Sequence, residues 1–504
     1  MRPIAAKKTV EKHLYKNKQS ISTQHPCLLD NIVCPWKTAE EEKTARQQVS
    51  SDQLSVLRSQ LPLILSSLKK IPDHRNPKKI KHKITVLMLY GLLMFVFQFA
   101  SRRQVNKEMT RPLFIQNLKE FFPELEHLPH ADTLYRVLKK IDIEQLELIQ
   151  IDVLKNLIRK KKFKRYLVNN CYPVAIDGSQ KLARKDLFTE ELLQRKKRKK
   201  KSNNNNNEDK LEKDEDEYQY YVYVLEANLS FHNGMVIPLL SEFLEYQLGD
   251  QQNSKQDCEL RAFKRLSKKI KKYFSHLPIM LLLDGLYANG PLMEYCQKKN
   301  WQYMIVLQQD DLKTIWREFN SLCTMEKNNQ YQQQCNGREQ HFVWVNNIEY
   351  DFDNGKKTML VHLVVCDEHW QEVDQYGEIE EKQSRHAWLS SRELKHHNVH
   401  ERCNLGARYR WGIEANFLVE KHQGYHYEHC FSLNWNALKG YHILMRLAHL
   451  FNVLALFSVA LVKTVKLLGK QGLLQLVRAT LSAPWFDKDE IKTLIAQPFR
   501  LRLI

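Results

Sequence analysis

The chain has 504 residues, enough for two or three domains with buried cores, and its 78 Lys and Arg residues outnumber its 58 Asp and Glu residues to give a formal net charge of +20. Nucleic acid is the simplest partner for this positive charge, although genome base composition, ribosomal proteins and membrane-surface proteins give the same signal. The ten cysteines include no CxxC pair, so we expect the reduced thiols of a cytoplasmic protein rather than a disulfide framework.

A zinc site and a membrane anchor both have weak candidates. His25, Cys27 and Cys34 come closest to a zinc pattern, but no second pair of ligands follows at finger spacing. Residues 84–100 are uncharged over 17 positions, the short limit for a membrane-spanning helix, and basic residues flank them on both sides. We predict a core helix there, with an integral membrane protein as the alternative. We expect no signal peptide, because no apolar segment follows the basic N-terminus.

The first third of the chain is predicted to be a leader followed by a helical domain. Residues 1–50 are polar and lack periodicity, which indicates a poorly ordered leader. In residues 51–165 apolar side chains recur at three- and four-residue spacing. Pro62 is placed to kink or split the first helix, and Asp132 or Thr133 can cap a later one. The basic edges of this domain favour DNA binding, although a plain helical bundle gives the same pattern.

The pattern becomes strand-like at residues 171–177, a short apolar run that ends in Asp177 and a glycine. Residues 194–217 consist of basic, Asn-only and acidic blocks, which predict a disordered surface loop inside the domain. Two apolar runs, 218–228 and 235–243, then predict an antiparallel hairpin. These strands would form one side of a sheet.

Helices and strands alternate in the segment that completes this predicted sheet. Residues 257–274 have the pattern of a basic amphipathic helix, and residues 278–283 form a second buried strand that ends in Asp284. A helix at 290–299 and a third buried strand at 301–307 follow. This order matches a ribonuclease-H-like mixed α/β sheet with flanking helices, in which the first strand lies beside the strand that follows the first helix.

The remaining segments complete the predicted domain plan. Strands separated by charged turns predict a strand-rich insertion at residues 321–392, and a long helical segment follows from about residue 405. The core would then comprise residues 170–320 and 393–465, with a helical tail at 466–504.

Asp177 and Asp284 are candidates for a shared metal site. Each ends a predicted strand and is followed by Gly, which lets the backbone turn away and leaves the carboxylate at the edge of the sheet. If the two strands are neighbours, the two acids are neighbours. Metal-assisted phosphoryl transfer needs two hard cations, about 3.5–4 Å apart, held by convergent carboxylates. For either acid alone, an ordinary Asp-Gly turn is an equally good interpretation.

Arg410, Glu414 and Lys421 supply a third acid and two cations. At 100° per residue their spacing places them within about 40° of one another on one face of a predicted helix. Such cations can grip the phosphates that flank a scissile bond, although a solvated charged face is the alternative. Glu420 lies about 120° from Glu414 around the helix, so we do not expect it to replace that acid.

The string Arg410-x3-Glu414-x6-Lys421, downstream of AIDGSQ and LLLDGLYANG, resembles the Y-x2-R-x3-E-x6-K signature of bacterial insertion-sequence DDE transposases. The resemblance covers most of residues 170–450. It implies a ribonuclease-H-like core, a strand-rich insertion between the second Asp and the Glu, and an N-terminal helical region that binds terminal inverted repeats. One position departs from the signature, because Ala407 stands where the family has tyrosine.

The resemblance also implies roles and partners. The catalytic residues and metal ligands would be Asp177, Asp284 and Glu414, holding two Mg²⁺ or Mn²⁺ ions. Arg410 and Lys421 would contact the DNA end. The partner would be double-stranded DNA, at the element ends and at the target, bound by a homodimer of a cytoplasmic bacterial transposase. A catalytically silent, transposase-derived DNA-binding protein is the alternative that the missing tyrosine and the Asn-rich loop favour.

Other residues have ordinary interpretations. Glu226 is expected to be an exposed acid at the end of a strand, although it could approach the site. Trp301, Trp388 and Trp411 are predicted to lie in the core rather than to stack on bases.

Overall fold

The computed structural model describes residues 34–125, 127–196, 218–245, 257–373, 378–483 and 487–504. His25 and Cys27 of the zinc-like pattern, most of the predicted leader, and residues 197–217 of the predicted loop lie outside the described residues. The fold of the described residues is mixed α/β, as predicted. It contains a sheet of parallel and antiparallel strands, and helices precede, separate and follow these strands along the chain.

The N-terminal part of the described chain is helical, as predicted. Its helices are α1 (Ala39–Arg58), α2 (Leu61–Leu68), α3 (Ile84–Val96), α4 (Arg102–Met109), α5 (Pro112–Phe121), α6 (Ala131–Leu138) and α7 (Ile143–Arg159). Pro62 lies in the first turn of α2, which confirms the predicted split. The leader was predicted too long, because α1 begins at Ala39. Thr38 caps α1 by accepting a hydrogen bond from the Glu41 N–H at 3.1 Å, and three acids occupy the first turn.

The cap of α6 differs from the prediction of Asp132 or Thr133. His130 is the N-cap, and its Nδ1 accepts a hydrogen bond from the Asp132 N–H at 3.2 Å. Asn106 accepts the Ala131 N–H at 2.8 Å, so a side chain from α4 satisfies another free donor of this helix end. An imidazole and a distant amide thus replace the expected local cap.

The apolar stretch at 84–100 forms α3, a helix of 13 residues whose side chains are almost all buried. It packs against α12 (Trp435–Leu456) in the interior of the protein. Phe95 of α3 makes an edge-to-face contact with Tyr441 of α12, with ring centroids 6.5 Å apart. This confirms the prediction of a core helix. Among the described residues, no helix combines the length and the apolar character needed to cross a membrane.

The sheet contains the strands β1 (Tyr172–Arg184), β2 (Leu193–Lys196), β3 (Tyr218–Ser230), β4 (Val236–Leu244), β5 (Ile279–Leu283), β6 (Gln302–Val306), β7 (Gln330–Cys335), β8 (Arg338–Phe352), β9 (Lys357–Val373) and β10 (Ile379–Ser390). The order is β2-β3-β1-β5-β6-β10-β9-β8-β7, and β4 pairs with β3. β1, β5 and β6 are parallel neighbours, whereas the other pairs are antiparallel. The predicted neighbourhood of the first strand and the strand after the first core helix is confirmed.

Two strand ends differ from the predictions. β1 does not end at Asp177 but continues to Arg184, because the aromatic strand β3 pairs with it along this length. The polar residues after Asp177 resemble a turn in the sequence, yet Lys181 is fully buried and donates a hydrogen bond to the Tyr427 carbonyl at 2.9 Å. Residues 194–196 of the predicted loop belong to β2, which pairs with β3.

Seven helices lie among and after the strands of the described chain, and one of them, at Lys313–Leu322, was not predicted. They are α8 (Glu259–Tyr273), α9 (Gly290–Lys298), α10 (Lys313–Leu322), α11 (Gly412–His422), α12, α13 (Val462–Leu481) and α14 (Lys488–Ala496). The segment expected to be helical from about residue 405 is irregular at first. A π-helical turn (Glu401–Gly406) and a 3-10 turn (Ala407–Trp411) precede α11. Strands β7 to β10 continue the sheet beyond β6, because β10 pairs with β6.

Candidate active site

Asp177 lies within β1, directly opposite Glu226 of β3. Its Oδ1 accepts the Gly178 N–H at 2.8 Å, and 20% of its side chain is exposed. Burial raises the pKa of Asp177 to about 6; the Gly178 N–H and Arg410 work against this shift, and the charges of Asp284 and Glu259 add to it. Asp177 is therefore a largely buried carboxylate whose negative charge is incompletely neutralised by its neighbours.

Asp284 follows β5 directly, as predicted. β5 is the parallel neighbour of β1, so the segments that carry the two aspartates are adjacent in the sheet. The Asp284 Oδ1 accepts the Leu286 N–H at 3.1 Å and caps the 3-10 turn Gly285–Tyr287. Burial raises the pKa of Asp284, the Arg410 charge and the Leu286 N–H lower it, and Asp311 raises it further. In both neighbouring aspartates, burial thus raises the pKa and the charge of Arg410 offsets only part of the shift.

Glu414 reaches this pair through Arg410. The Arg410 guanidinium lies 2.8 Å from Glu414 Oε1 and 3.7 Å from Asp177 Oδ2. Only 6% of the Arg410 side chain is exposed, against 38% of Glu414, and the guanidinium stacks over the Trp411 ring at 4.4 Å. The buried Arg410 Nε has no hydrogen-bond partner among the described residues. One guanidinium therefore lies between two of the predicted ligands and has donor capacity to spare.

The chemistry of the donors fits a hard divalent cation, but the side chains are not yet arranged around one. Carboxylate oxygens are the ligands that Mg²⁺ and Mn²⁺ prefer, and the raised pKa of each aspartate marks charge that a cation would offset. Among the described residues, however, no three His, Cys, Asp or Glu side chains are grouped so that they could hold a metal ion as they stand. The guanidinium of Arg410 occupies the space between Asp177 and Glu414 instead.

Lys421 is not brought to these acids. It lies near the end of α11, seven residues beyond Glu414 and thus about 10 Å further along the helix axis. Its Nζ contacts Glu428 Oε1 at 3.1 Å. The helical spacing that placed it on the same face as Arg410 is interrupted as well, because Arg410 belongs to the preceding 3-10 turn.

Glu259 is a fourth acid beside the aspartates that the sequence reasoning passed over. It is the first residue of α8 and hydrogen-bonds the hydroxyls of Tyr287 and Tyr223. Burial raises the pKa of Glu259, and the charge of Asp284 raises it further. Acids are common in first helical turns, so the sequence alone did not distinguish this one.

Glu226 and Glu420 form a separate buried group, which we call the inner cluster, with Arg446, His442 and His449 of α12. Arg446 bridges the two acids, at 3.1 Å from Glu226 Oε2 and 2.9 Å from Glu420 Oε1. His442 lies 3.2 Å from Glu226, and His449 lies 2.7 Å from Glu420. The prediction of Glu226 as an exposed strand-end acid is wrong, because it lies within β3 and is fully buried. Glu420, which we did not expect to replace Glu414, is fully buried in the same cluster.

The three tryptophans that were predicted to lie in the core differ in their burial. Trp301 and Trp388 are buried, as predicted, whereas 53% of Trp411 is exposed, so its prediction as a core residue is wrong. Trp411 ends the 3-10 turn and is the N-cap residue of α11, and the Arg410 guanidinium stacks over its ring.

The comparisons with known proteins bear on the N-terminal helices. Residues 65–152, from the end of α2 into α7, match a family model described as DDE_Tnp_1-associated. This domain occurs in DDE-family transposases, and the match covers less than a fifth of the chain. A search of curated proteins finds no match. The chain therefore carries a transposase-associated domain directly before the sheet that holds the candidate acids.

Proposed function

We propose that this protein is a DNA transposase that cuts and joins strands at the ends of an insertion sequence, with Asp177, Asp284 and Glu414 as its catalytic acids. The observation that carries the proposal is the placement of two incompletely neutralised aspartates, Asp177 in β1 and Asp284 directly after its parallel neighbour β5, with Arg410 linking Asp177 to the third acid. The transposase-associated domain before the sheet supports the same reaction class.

The strand order supports a ribonuclease-H-like core. The hairpin β3–β4 lies on one side of β1, and β5 and β6 lie on the other, in the order β4-β3-β1-β5-β6. Only the pairs β1–β5 and β5–β6 in this set are parallel, each joined by a segment that contains a helix. This is the arrangement that the resemblance to DDE transposases implies for the catalytic core.

Asp177, Asp284 and Glu414 would hold two Mg²⁺ or Mn²⁺ ions, which supply activation of the attacking oxygen and stabilisation of the leaving one. Arg410 has a separate task in this proposal. Its guanidinium is buried against Trp411, so it is held as a rigid planar donor beside the acids. Arginine in that position binds a DNA phosphate through two parallel N–H groups, and the contact with Glu414 is exchanged for the phosphate.

The partners follow from the reaction. Double-stranded DNA at the element ends and at the target matches the net charge of +20. Lys421, at the far end of α11, would contact the DNA backbone away from the scissile phosphate. Bringing two ends together requires at least a homodimer in the synaptic complex, and a cytoplasmic bacterial location gives the enzyme access to its element.

A catalytically silent, transposase-derived DNA-binding protein is the second candidate. The lack of a preformed three-ligand group among the described residues favours it, as does Ala407 in place of the family tyrosine. The two candidates share DNA binding and differ in cleavage.

A nicking assay separates them. The substrate is a duplex that carries the DNA flanking this gene, incubated with the full-length protein and Mg²⁺ or Mn²⁺. We expect metal-dependent nicking that Asp177→Asn, Asp284→Asn and Glu414→Gln each abolish, with DNA affinity retained because these changes remove no positive charge. The matched control is Glu294→Gln, which changes a partly exposed acid that pairs with Lys298 and Lys357, and this variant should cleave normally. Full activity in any of the three site variants refutes the assignment, and DNA binding without cleavage by the unchanged protein selects the silent alternative.

A further inference from the structure

One carboxylate connects the segments that carry the two aspartates. Glu259 Oε1 accepts a hydrogen bond from the Tyr287 hydroxyl at 2.8 Å, and its Oε2 accepts one from the Tyr223 hydroxyl at 3.5 Å. The two tyrosines belong to different parts of the sheet, Tyr223 to β3 and Tyr287 to the turn after β5. Both oxygens of Glu259 are thus engaged by phenols.

Tyr287 fixes the turn that begins at Asp284. The Tyr287 N–H donates to the Asp284 carbonyl at 3.2 Å, and Asp284 caps the same turn with its side chain. The Tyr287 ring is fully buried and packs on Phe263 of α8, with ring centroids 5.2 Å apart. A buried phenol without a partner is unfavourable, so the hydrogen bond to Glu259 holds this turn against α8.

Tyr223 fixes the backbone that follows Asp177. Its ring lies against Gly178, where a Cβ would come within 2.3 Å of the ring. The Gly178 N–H in turn donates to the Asp177 carboxylate at 2.8 Å. The position of the Tyr223 ring therefore determines where this N–H, and with it the Asp177 side chain, can lie.

We propose that Glu259 is a positioning residue of the active site, which holds the segments of Asp177 and Asp284 in one arrangement through Tyr223 and Tyr287. The inference rests on the proposed function, since it concerns the same two acids. Its role is tethering rather than metal binding, because both of its oxygens accept hydrogen bonds from tyrosines. A displacement of about 1 Å at a reacting centre can cost roughly 100-fold in rate, so a tether of this kind has a measurable effect.

Two variants of Glu259 separate the tether from the charge. Glu259→Gln keeps a carbonyl oxygen that can accept the Tyr287 hydroxyl but removes the negative charge, whereas Glu259→Ala removes both. Single-turnover cleavage at saturating DNA gives the rate, a binding assay gives the Kd for DNA, and electron paramagnetic resonance gives Mn²⁺ binding without turnover. We expect Glu259→Ala to lower the cleavage rate by about 10- to 100-fold and to weaken Mn²⁺ binding, with the Kd for DNA unchanged. Glu259→Gln should restore most of the rate.

A pair of tyrosine variants provides the matched control. Tyr287→Phe removes the hydroxyl that donates a hydrogen bond to Glu259, so it should lower the cleavage rate as Glu259→Ala does. Tyr295→Phe, on α9, removes a buried hydroxyl that has no hydrogen-bond partner among the described residues, and should leave the rate unchanged. Thermal unfolding of each variant shows whether the fold is retained, and Glu259→Gln keeps the test decisive if Glu259→Ala does not fold.

Three results would overturn the positioning role: an unchanged rate in Glu259→Ala, equal losses in Glu259→Ala and Glu259→Gln, or equal rates in Tyr287→Phe and Tyr295→Phe. The second would assign the effect to charge. These results differ from a failure of the proposed function, in which the unchanged protein itself neither binds Mn²⁺ nor cleaves DNA.

Discussion

The acids at the candidate site and the acids of the inner cluster lie side by side, yet their environments differ. Asp177 and Glu226 are direct partners on β1 and β3, and Glu414 and Glu420 lie on the same helix, α11. Burial raises the pKa of Asp177 to about 6. The pKa of Glu226 and of Glu420 is lowered, because Arg446 and the α12 histidines outweigh their burial.

The two groups of acids differ in pKa because their charges are neutralised to different extents, and not because of how deeply they are buried. The inner cluster is buried completely, but its guanidinium bridges two carboxylates and each carboxylate also has an imidazole partner. At the site, Arg410 contacts Asp177 and Glu414 while Asp284 and Glu259 add negative charge. Carboxylates that each contact a buried guanidinium and an imidazole are typical of a structural network, whereas excess negative charge in a partly open position is what a divalent cation would relieve.

The same substitution at two positions of α11 gives the largest expected contrast. Glu420→Ala leaves Arg446 and His449 with one buried carboxylate fewer, so the free energy of unfolding should fall by about 3–5 kcal/mol. Glu414→Ala removes a half-exposed carboxylate, and its effect should stay within about 1 kcal/mol. Urea unfolding measures both. Equal losses would mean that the two clusters do not differ in the way their charges suggest.

Acid should destabilise the inner cluster. The pKa of Glu420 is lower in the folded protein than its ordinary value of 4.5, since Arg446 and His449 stabilise its charge. Its contribution is therefore fully present above pH 4.5 and is lost as the pH falls through the folded pKa. Burial lowers the pKa of His449 in the folded protein. Below pH 6.5, the ordinary pKa of histidine, the unfolded chain therefore takes up this proton more readily than the folded protein does, and acid destabilises the fold through this group as well.

Glu420→Gln tests this pH dependence. The variant is less stable at pH 7, but below pH 4.5 its stability should decline less steeply than that of the unchanged protein, because one of the titrating groups is gone. Unfolding free energies measured from pH 7 to pH 3 give the two slopes. Parallel curves would show that folding does not lower the pKa of Glu420.

Arg410→Gln tests whether the site acids carry unneutralised charge. Removing a cation from within 4 Å of Asp177 and Glu414 should tighten Mn²⁺ binding by about tenfold, since such a pair contributes on the order of 1 kcal/mol or more. Calorimetric titration with Mn²⁺ measures the change. DNA cleavage should fall in the same variant, because the proposed phosphate contact is lost. Arg385→Gln, at an exposed ion pair with Asp367, is the control. Weaker Mn²⁺ binding in Arg410→Gln would contradict the excess negative charge.

The sequence predicted the order of the strands that carry this site better than it predicted their ends and side-chain contacts. Periodicity and strand order placed Asp284 at the end of β5 and made β1 its neighbour, because these features depend on local apolar patterns. The length of β1 was not predictable in this way. The polar residues after Asp177 are held in the strand by tertiary contacts, such as that of Lys181 with Tyr427.

Long-range pairing explains the other errors. Glu226 looked exposed because its partners Arg446 and His442 are more than 200 residues away in the sequence. Glu259 was missed for the same reason, since neither of its tyrosine partners lies on α8. The spacing of Arg410 and Glu414 did predict contact, even though a change of helix type between them was not foreseen. Side-chain pairing across elements, unlike periodicity, leaves no local signal.

Lys421 gives the smallest expected effect and completes the comparison, because it belongs to neither cluster. Its ion pair with Glu428 is exposed on the Glu428 side, so Lys421→Ala should change the free energy of unfolding by less than about 1 kcal/mol. If Lys421 contacts a DNA phosphate, the variant should bind DNA a few-fold more weakly, and the slope of log affinity against log salt should fall by about 1. Lys298→Ala, which breaks an exposed pair with Glu294, is the matched control. Titrations at several salt concentrations distinguish them, and identical slopes for the two variants would remove Lys421 from the DNA-binding surface.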